Sequence, residues 1–271
     1  MFYSFFDHNC CPKYWTLIHC QLNAYSLSIL ITGIIYKLLT NSHLRLASKL
    51  NINKEKVEAS LEAELKSLKS NNYHEIVSTG ERLISVLLKE YFSSSGLNVD
   101  WTTGYDLGVE IKDDVISRDC SKIVKKNLLE KFFEKEVTPI VTGFDGGSNG
   151  RRLTLRRSGS DQTATFLSYS LDADFVYLIK NSRGIETADP KIVKNTRNIP
   201  SLNYDMAMES SNIQFEALQY VKEKEIPLVV QYIEDPKIKT IVDKNFKSSG
   251  IEFLGSGSYS SNEFRRTELI F

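Results

Sequence analysis

The sequence predicts an α/β protein in which helices cover both faces of a mainly parallel sheet, a three-layer αβα sandwich. Apolar residues recur at helical spacing in several segments, and short apolar runs of strand length lie between those segments. The run "VTPIVTGF" at 137–144 is almost continuously apolar, which is typical of a strand buried on both faces. Strands that alternate with helices in this way indicate a layered α/β architecture.

The composition is that of an ordinary globular protein, with 41% hydrophobic and 25% charged residues. Lysine plus arginine and aspartate plus glutamate number 34 each, so the formal net charge is zero. A neutral chain has no overall field that attracts nucleic acids or anionic membranes. We therefore expect neither as a partner, and any anion site must be local.

The first 25 residues form an atypical N-terminal segment. The apolar run that follows, Ser26 to Leu39, is shorter than the roughly 20 residues of a transmembrane helix and predicts a buried helix. The chain also lacks the basic start of a secretory signal. We expect a cytoplasmic protein.

Cysteine and histidine residues cluster near the amino terminus without the ligand spacing of a zinc site. The cluster comprises His8, Cys10, Cys11, His19 and Cys20. Because the fourth cysteine, Cys120, is distant, the cysteines do not form a disulfide framework. The interpretation is structural or incidental thiols in a reducing compartment, with no metal site.

Helices dominate the first part of the chain. Asn51 or Asn53 can cap a helix that Asn71 and Asn72 end. Its predicted buried stripe is Val57, Leu61, Leu65 and Leu68. A second helix is predicted to open near Gly80 and to end at "SSSG", 93–96. A short strand follows at 97–103, and apolar spacing from Val124 to Phe133 predicts a third helix.

Strands and helices alternate in the second part. The strand at 137–144 stops in "DGGSNG", which predicts a loop, and the next helix begins at Ser160 or Asp161. The later elements are a strand from Phe175, a helix over roughly Asn203 to Lys222 and a strand from Ile226. The tail from Gly255 has a flexible composition.

The turn "RRSGSD" at 156–161 is the first candidate site. Ligands of such sheets collect where strands end and helices begin, because helix N-termini present unpaired N–H groups. Gly159 lets the backbone approach a ligand, and Arg157 could bind a carboxylate or phosphate through two hydrogen bonds. In the alternative interpretation, Ser160 and Asp161 only cap the helix and the arginines are solvated.

Four segments, in this order, resemble the aspartokinase branch of the amino-acid kinase family. They are "STGERL" at 78–83, "TPIVTGF" at 138–144, "LTLRRSGSDQTA" at 153–164 and "GIETADPKIVKNTRNIPSLNYDMA" at 184–207. The likeness spans roughly residues 47–231. It implies an amino-acid kinase-like fold and an ATP-dependent kinase that phosphorylates the side-chain carboxylate of aspartate, the first step toward lysine, threonine and methionine. It also implies Mg²⁺ bound through the nucleotide and a homodimer.

The resemblance assigns roles to individual residues. Arg157 and Asp161 match catalytic positions, the first binding a substrate carboxylate and the second organising a lysine. The substrate-binding residues are Glu81, Arg157, Ser158, Gly159 and Ser160. The nucleotide-binding residues are Lys180, Asn181, Gly184, Glu186, Asp189, Pro190 and Lys191. Two structural alternatives stay open: Glu81 as a first-turn acid, and Asp189-Pro190 as a turn.

The chain also departs from the family pattern. It contains no K-x-G-G-[ST] motif, whose lysine and glycine amides hold the ATP phosphates in the family. The segment "KNSRG" stands where T-D-V-D-G is expected. Arg156 and Ser158 replace glycines of the turn, and Ser211 replaces a lysine that contacts ATP. These differences remove charged contacts of the kind that stabilise a transferred phosphoryl group.

Three hypotheses follow for activity. In the first, the chain is a divergent aspartate kinase in which Lys180 or Lys191 supplies a missing charge. In the second, it is a non-catalytic relative that binds nucleotide or amino acid or pairs with an intact subunit. In the third, it is the truncated product of a degraded gene. The expected domains are the N-terminal segment 1–25, a kinase-like domain at 26–235 and a tail at 236–271 without a full regulatory domain.

Overall fold

The computed structural model describes residues 27–67, 72–156, 158–210 and 213–245. These residues divide into two compact units, 27–155 and 156–245. Each unit has its own helices, strands and apolar core, which confirms the predicted α/β class. Within the described residues, no helix has the length and apolar character needed to span a membrane. The N-terminal cluster of cysteines and histidines, Arg157, Ser211 and the tail from Gly255 lie outside the described residues.

The first unit contains five helices, six strands and two 3₁₀ turns among its described residues. In chain order they are α1 (Leu27–Lys49), α2 (Lys54–Ser67), α3 (Tyr73–Ser94), β1 (Val99–Thr102), α4 (Gly104–Leu107), β2 (Ile111–Lys112), β3 (Val115–Ile116), a 3₁₀ turn (Arg118–Cys120), α5 (Ser121–Lys131), a second 3₁₀ turn (Phe133–Lys135), β4 (Thr138–Val141), β5 (Asp145–Ser148) and β6 (Arg151–Thr154). Strand β1 pairs in parallel with β4, whereas β2–β3 and β5–β6 are antiparallel pairs.

Helix α2 begins where the sequence predicts. The Asn53 side chain accepts a hydrogen bond from Lys56 N at 2.8 Å, which satisfies one of the unpaired donors of a first helical turn. Val57 and Leu61 are fully buried, and Leu65 packs against the same core from a partly buried position. Leu68 lies outside the described residues. The predicted apolar stripe is therefore confirmed for its first three members.

Helix α3 is longer than predicted. The expected start near Gly80 is wrong, because the helix begins at Tyr73, where the Asn72 side chain accepts from His74 N at 3.0 Å. Leu83 and Leu87, one helical turn apart, are fully buried. Gly80 lies exposed in the middle of the helix and does not interrupt it.

The loop predicted after Phe144 is wrong, since "DGGSNG" contains strand β5 and the turn of a β-hairpin. Its glycines are required by close packing. A Cβ added to Gly147 would lie 2.6 Å from ring carbons of Tyr105, and one added to Gly146 would lie 2.7 Å from the Val109 carbonyl oxygen. Because these positions must be glycine for close packing, the segment lacks the alternation of apolar and polar side chains by which a strand is recognised.

The second unit contains three helices and four strands among its described residues. They are α6 (Gly159–Leu171), β7 (Val176–Lys180), β8 (Ser201–Leu202), α7 (Tyr204–Glu209), α8 (Phe215–Glu223), β9 (Leu228–Tyr232) and β10 (Lys239–Val242). The sheet order is β7-β9-β10-β8, with β7–β9 and β8–β10 parallel and β9–β10 antiparallel. Phe166 of α6 packs edge-on against Tyr220 of α8, with ring centroids 5.5 Å apart.

Two predictions for this unit need correction. The single helix expected over Asn203 to Lys222 is two helices, because the backbone is extended at Ser210 and helix α8 begins only at Phe215. Strands β8 and β10 were not predicted at all. Strand β10 lies beyond Asp235-Pro236 and completes the sheet by pairing with both β8 and β9.

Candidate functional site

Asp161 and Lys180 form a largely buried ion pair at the start of helix α6. Asp161, in the first turn of α6, has a side chain that is 5% exposed, and Lys180 ends strand β7 with a side chain that is 17% exposed. Lys180 Nζ donates to Asp161 Oδ2 at 2.5 Å. Burial raises the pKa of Asp161, and the Lys180 charge opposes that rise. The structure therefore brings together one predicted catalytic residue and one predicted nucleotide-binding residue.

The turn that precedes α6 has an unusual backbone. Ser158 occupies the N-cap position with φ 63° and makes no side-chain capping hydrogen bond. Asp161 N donates to the Ser158 carbonyl at 3.1 Å, whereas the Asp161 carboxylate is directed to Lys180. The interpretation in which Ser160 and Asp161 cap the helix is therefore wrong, and the Asp161 carboxylate pairs with Lys180 instead.

The segment after β7 is fixed by close packing around Gly184. Gly184 has φ 74°, and an added Cβ would lie 2.5 Å from Asn198 Nδ2 and 2.7 Å from Thr240 Oγ1. Glu186 is buried, and its Oε1 accepts from Thr196 Oγ1 at 2.8 Å. These two predicted nucleotide-binding residues thus hold the backbone of the segment in one conformation.

Asp189 and Pro190 lie in a turn, which was the structural alternative to a nucleotide-binding role for them. Its Oδ1 accepts from Lys191 N at 2.9 Å, and its carbonyl accepts from Ile192 N and Val193 N. Pro190, Lys191 and Asn181 are exposed. Asn181 directly follows Lys180 in the chain. Among the described contacts, none joins a side chain of these four residues to the Asp161–Lys180 pair.

Glu81 lies on helix α3 in the first unit and is half-buried. Within the described part of the chain, no group donates a hydrogen bond to its carboxylate and no cation pairs with it. Burial, followed by repulsion from Asp145, raises the pKa of Glu81 to about 7. Such a carboxylate favours a cationic ligand, because an ammonium group would supply the missing counter-charge.

Asp145 is a second buried carboxylate of this unit. It is fully buried at the start of β5 and accepts hydrogen bonds from Gly104 N and Thr142 Oγ1, both at 2.8 Å, and from Arg152 Nη1. Burial raises the pKa of Asp145 to about 6, with the Arg152 charge opposing the rise.

Arg152 links β6 to the surrounding elements. Besides its bond to Asp145, its Nε lies 3.3 Å from Glu75 Oε1 on α3. Its guanidinium carbon lies 4.7 Å from the centre of the Tyr105 ring, within the range of a cation–π contact. Neither Asp145 nor Arg152 was predicted from the sequence, although an acid placed directly after a buried strand is a usable signal.

Among the described side chains, no cluster of three or more His, Cys, Asp or Glu residues is arranged to hold a metal ion. In the second unit, Lys180 is held by Asp161 beside the N-terminal amides of α6, an arrangement that suits an anionic group such as a phosphate. In the first unit, the Glu81 carboxylate has no counter-charge among the described residues, which suits a cationic group.

A model of the amino acid kinase family matches residues 30–231. The chain belongs to this family. Similar amino acid kinases include Aspartokinase 1 of Arabidopsis thaliana, chloroplastic, 29% identical over 223 residues that cover 74% of this chain and 39% of that protein. Aspartokinase 2 of Bacillus subtilis is 27% identical over 176 residues, 62% of this chain and 43% of that protein. The chain thus spans about two fifths of these relatives.

Solved structures of amino acid kinases have the same fold. Clostridium acetobutylicum aspartate kinase matches with a TM-score of 0.62 and 26% identity, covering 78% of this chain and 47% of that one. Escherichia coli aspartokinase III, solved with aspartate and ADP, matches with a TM-score of 0.59 and 22% identity over 71% of this chain and 46% of that one. The predicted fold and the predicted family are both confirmed.

Proposed function

We propose that this amino acid kinase transfers a phosphoryl group from ATP to the side-chain carboxylate of L-aspartate, forming 4-phospho-L-aspartate. The observation that carries the proposal is the buried Asp161–Lys180 pair at the start of α6. It sets a cation beside helix N-terminal amides, the two features that recur where phosphate groups are bound. The aspartokinase relatives support aspartate as the acceptor.

The proposed reaction needs no general base, because a carboxylate is already a nucleophile. A bond forms between the aspartate carboxylate oxygen and the γ-phosphorus, the bond from that phosphorus to the bridging oxygen breaks, and ADP leaves. The task of the protein is alignment and neutralisation of charge on the transferred group. Lys180 and the first amides of α6 would neutralise that charge, and Asp161 would hold the lysine in place.

We propose two contacts for the acceptor. The Glu81 carboxylate would receive the α-ammonium group, since it has no counter-charge among the described residues. Arg157 would bind a substrate carboxylate, with Ser158, Gly159 and Ser160 forming the adjoining wall. This second part rests on the family resemblance.

The nucleotide would be bound along the segment that follows β7. Gly184 and Glu186 fix the backbone of this segment, and Lys180, Asn181, Asp189, Pro190 and Lys191 complete the proposed set. Mg²⁺ would arrive with ATP and be held mainly by its phosphates.

The activity is tested by incubating the purified chain with L-aspartate, MgATP and hydroxylamine, which traps an acyl phosphate as aspartyl hydroxamate. We expect product from the wild type and a loss of at least about 10²-fold in Lys180→Met, because a charged contact to the transferred group is removed. Lys222→Met is the matched control, since this exposed lysine of the same unit pairs only with Asp205 among the described contacts. Equal rates for both variants would contradict the proposed role of Lys180.

A second candidate is a relative that binds nucleotide or amino acid without turnover. It is favoured by Asn181 and Arg183, which stand at positions that are acidic in the family pattern. A rise in melting temperature with MgATP, together with no hydroxamate, would support this candidate over the kinase.

We also propose the limits and setting of the domain. The kinase-like domain would begin at residue 26, and the pairing of β10 with β8 and β9 supports an end at Val242 rather than at 235. A homodimer, a cytoplasmic setting and a role in lysine biosynthesis are carried by the family resemblance. Size-exclusion chromatography with light scattering tests the dimer.

A further inference from the structure

Thr240 is a polar residue in an otherwise apolar row of the second unit's sheet. It lies on strand β10 beside Val230 of β9, which in turn pairs with Leu178 of β7. All three side chains are fully buried. Because a hydroxyl is costly to bury unless it is hydrogen-bonded, the partners of Thr240 indicate what the hydroxyl does at this position.

Two segments of the same unit run antiparallel to each other on either side of a loop. The outgoing segment, 183–187, follows strand β7, and the returning segment, 196–199, leads into β8. Ile199 N donates to the Ile185 carbonyl at 2.8 Å. The outgoing segment and the loop 188–195 contain most of the proposed nucleotide-binding residues.

The Thr240 hydroxyl joins the two segments. Its Oγ1 accepts from Ile185 N at 2.8 Å and from Asn198 Nδ2 at 3.1 Å, and it donates to the Ile199 carbonyl at 2.6 Å. A hydroxyl has one donor and two acceptor positions, so these three bonds use its full capacity. The outgoing and returning segments are therefore both bonded to one buried atom of β10.

Asn198 supplies a second contact between the segments. Its Nδ2 donates to the Arg183 carbonyl at 2.7 Å as well as to Thr240 Oγ1. Gly184, next to Arg183, has φ 74°, and an added Cβ would lie within 3 Å of both side chains. Asn198 and Thr240 thus pack directly against the glycine backbone, and they hold the outgoing segment in one conformation.

We propose that Thr240 and Asn198 are positioning residues that set the affinity of this chain for the nucleotide by closing the loop 188–195 at its base. The inference rests on the proposed function, in which this region binds ATP. Thr240 also lies beyond residues 30–231, the part that the family model matches. A loop whose two ends are already fixed loses less conformational entropy when a ligand binds, so removal of these bonds weakens nucleotide binding.

The effect is specific to the nucleotide. The contacts proposed for the acceptor, Glu81 and 157–160, do not belong to either segment. Loss of the Thr240 hydroxyl should therefore raise the KM for MgATP and leave the KM for L-aspartate unchanged. A variant that is merely less folded would lower the apparent kcat and change neither KM.

The experiment compares Thr240→Val, which keeps the shape of the side chain and removes the hydroxyl, with Thr240→Ser, which retains the hydroxyl. Calorimetry of the full chain with MgADP measures nucleotide binding without turnover. We expect Thr240→Val and Asn198→Ala to weaken MgADP binding at least about 10-fold, and Thr240→Ser to stay within about threefold of the wild type. In the hydroxamate assay, the KM for MgATP should rise by the same factor as the dissociation constant.

Ser168→Ala is the matched control. Among the described contacts, this buried hydroxyl of α6 bonds only to the Thr165 carbonyl of its own helix, so its removal should leave MgADP binding unchanged. Trypsin gives a readout that needs no ligand, because Lys191 and Lys194 of the loop are exposed. Both should be cleaved faster in Thr240→Val than in the wild type, and equal cleavage rates would contradict closure of the loop by Thr240.

Wild-type MgADP affinity in Thr240→Val would overturn the inference, and so would equal weakening in Thr240→Val and Thr240→Ser. If Thr240→Val does not fold, Asn198→Ala takes its place, and full affinity in that variant overturns the inference as well. Absence of hydroxamate with the expected order of MgADP affinities removes phosphoryl transfer alone. Hydroxamate formation with the same MgADP affinity in all variants removes this inference alone, and a wild type that does not bind MgADP overturns both.

Discussion

His74 and Thr154 are joined by two hydrogen bonds to the same atom. Thr154 N donates to His74 Nδ1 at 3.1 Å, and Thr154 Oγ1 lies 2.8 Å from it. Because a backbone N–H can only donate, Nδ1 is an acceptor and the neutral ring carries its proton on Nε2. The contact ties the first turn of α3 to the end of β6, next to the Glu75–Arg152 pair that links the same two elements.

His74→Ala should destabilise the first unit by about 1–2 kcal/mol, because Thr154 N then loses its acceptor in a partly buried position. His74→Asn is the matched variant, since its Oδ1 can take the place of Nδ1 and should retain most of the stability. Urea unfolding followed by circular dichroism measures both. Equal losses in the two variants would show that ring packing, and not the acceptor, stabilises this contact.

Asp161→Asn should lower the free energy of unfolding by about 1–3 kcal/mol, because it removes the carboxylate charge that compensates the Lys180 ammonium in a largely buried position. The loss is smaller than for a fully buried pair, since the Lys180 side chain keeps 17% of its exposure. The double variant Asp161→Asn with Lys180→Met should recover part of the loss. If the double variant loses at least as much stability as the two single variants together, the ion pair is not the source of the effect.

Glu81 should make the first unit less stable as the pH rises. Its pKa is about 7 in the folded protein against an ordinary value of 4.5, so the folded state binds the proton more tightly. Below pH 4.5 Glu81 is protonated in both the folded and the unfolded state, so its burial lowers the free energy of unfolding by nothing there. Between pH 4.5 and 7 the folded state loses up to about 2–3 kcal/mol, and above pH 7 the loss is complete.

Glu81→Gln cannot ionise and should therefore remove this part of the pH dependence. Denaturant unfolding at pH 5 and pH 8 measures the difference between the wild type and the variant. Glu58→Gln, an exposed glutamate on α2, should behave like the wild type. A wild-type pH dependence that persists in Glu81→Gln would assign it to another group, and Asp145 would be the first to test.

The sequence predicted those elements that periodicity and local caps determine. Helix α2 follows from the Asn53 cap and from Val57 and Leu61 at helical spacing, and β9 from its apolar run. Strand β5 was missed because Gly146 and Gly147 serve tertiary packing against Val109 and Tyr105, which a local pattern does not contain. Strand β8 has two residues and no pattern of its own, since its pairing with β10 alone makes it a strand.

The candidate site was predictable only where the family motifs carry it. Asp161 and Lys180 were both named from the sequence, yet their direct contact depends on the end of β7 meeting the start of α6 in space. Asp145 and Arg152 lie outside those motifs, and their significance comes from burial and from the position of Glu75 and Tyr105. Buried charges that interact across separate elements are a property of the tertiary structure.

Gly80 and Gly108 should respond oppositely to alanine. Gly80 lies inside α3 with an ordinary negative φ, and an added Cβ would meet nothing within 4 Å. In a helix interior, glycine lowers the stability of the folded state by about 0.5–1 kcal/mol relative to alanine, because a chain with glycine loses more conformational entropy when it folds. Gly80→Ala should therefore raise the free energy of unfolding by that amount.

Gly108 ends α4 at φ 83°, and an added Cβ would lie 3.2 Å from Ile123 Cγ2. An L-residue in this left-handed conformation costs roughly 1–2 kcal/mol, and the tight contact adds to it. Gly108→Ala should be less stable than the wild type by at least that amount in the same urea titration. A destabilising Gly80→Ala would contradict this prediction, since the described residues leave the Cβ direction open.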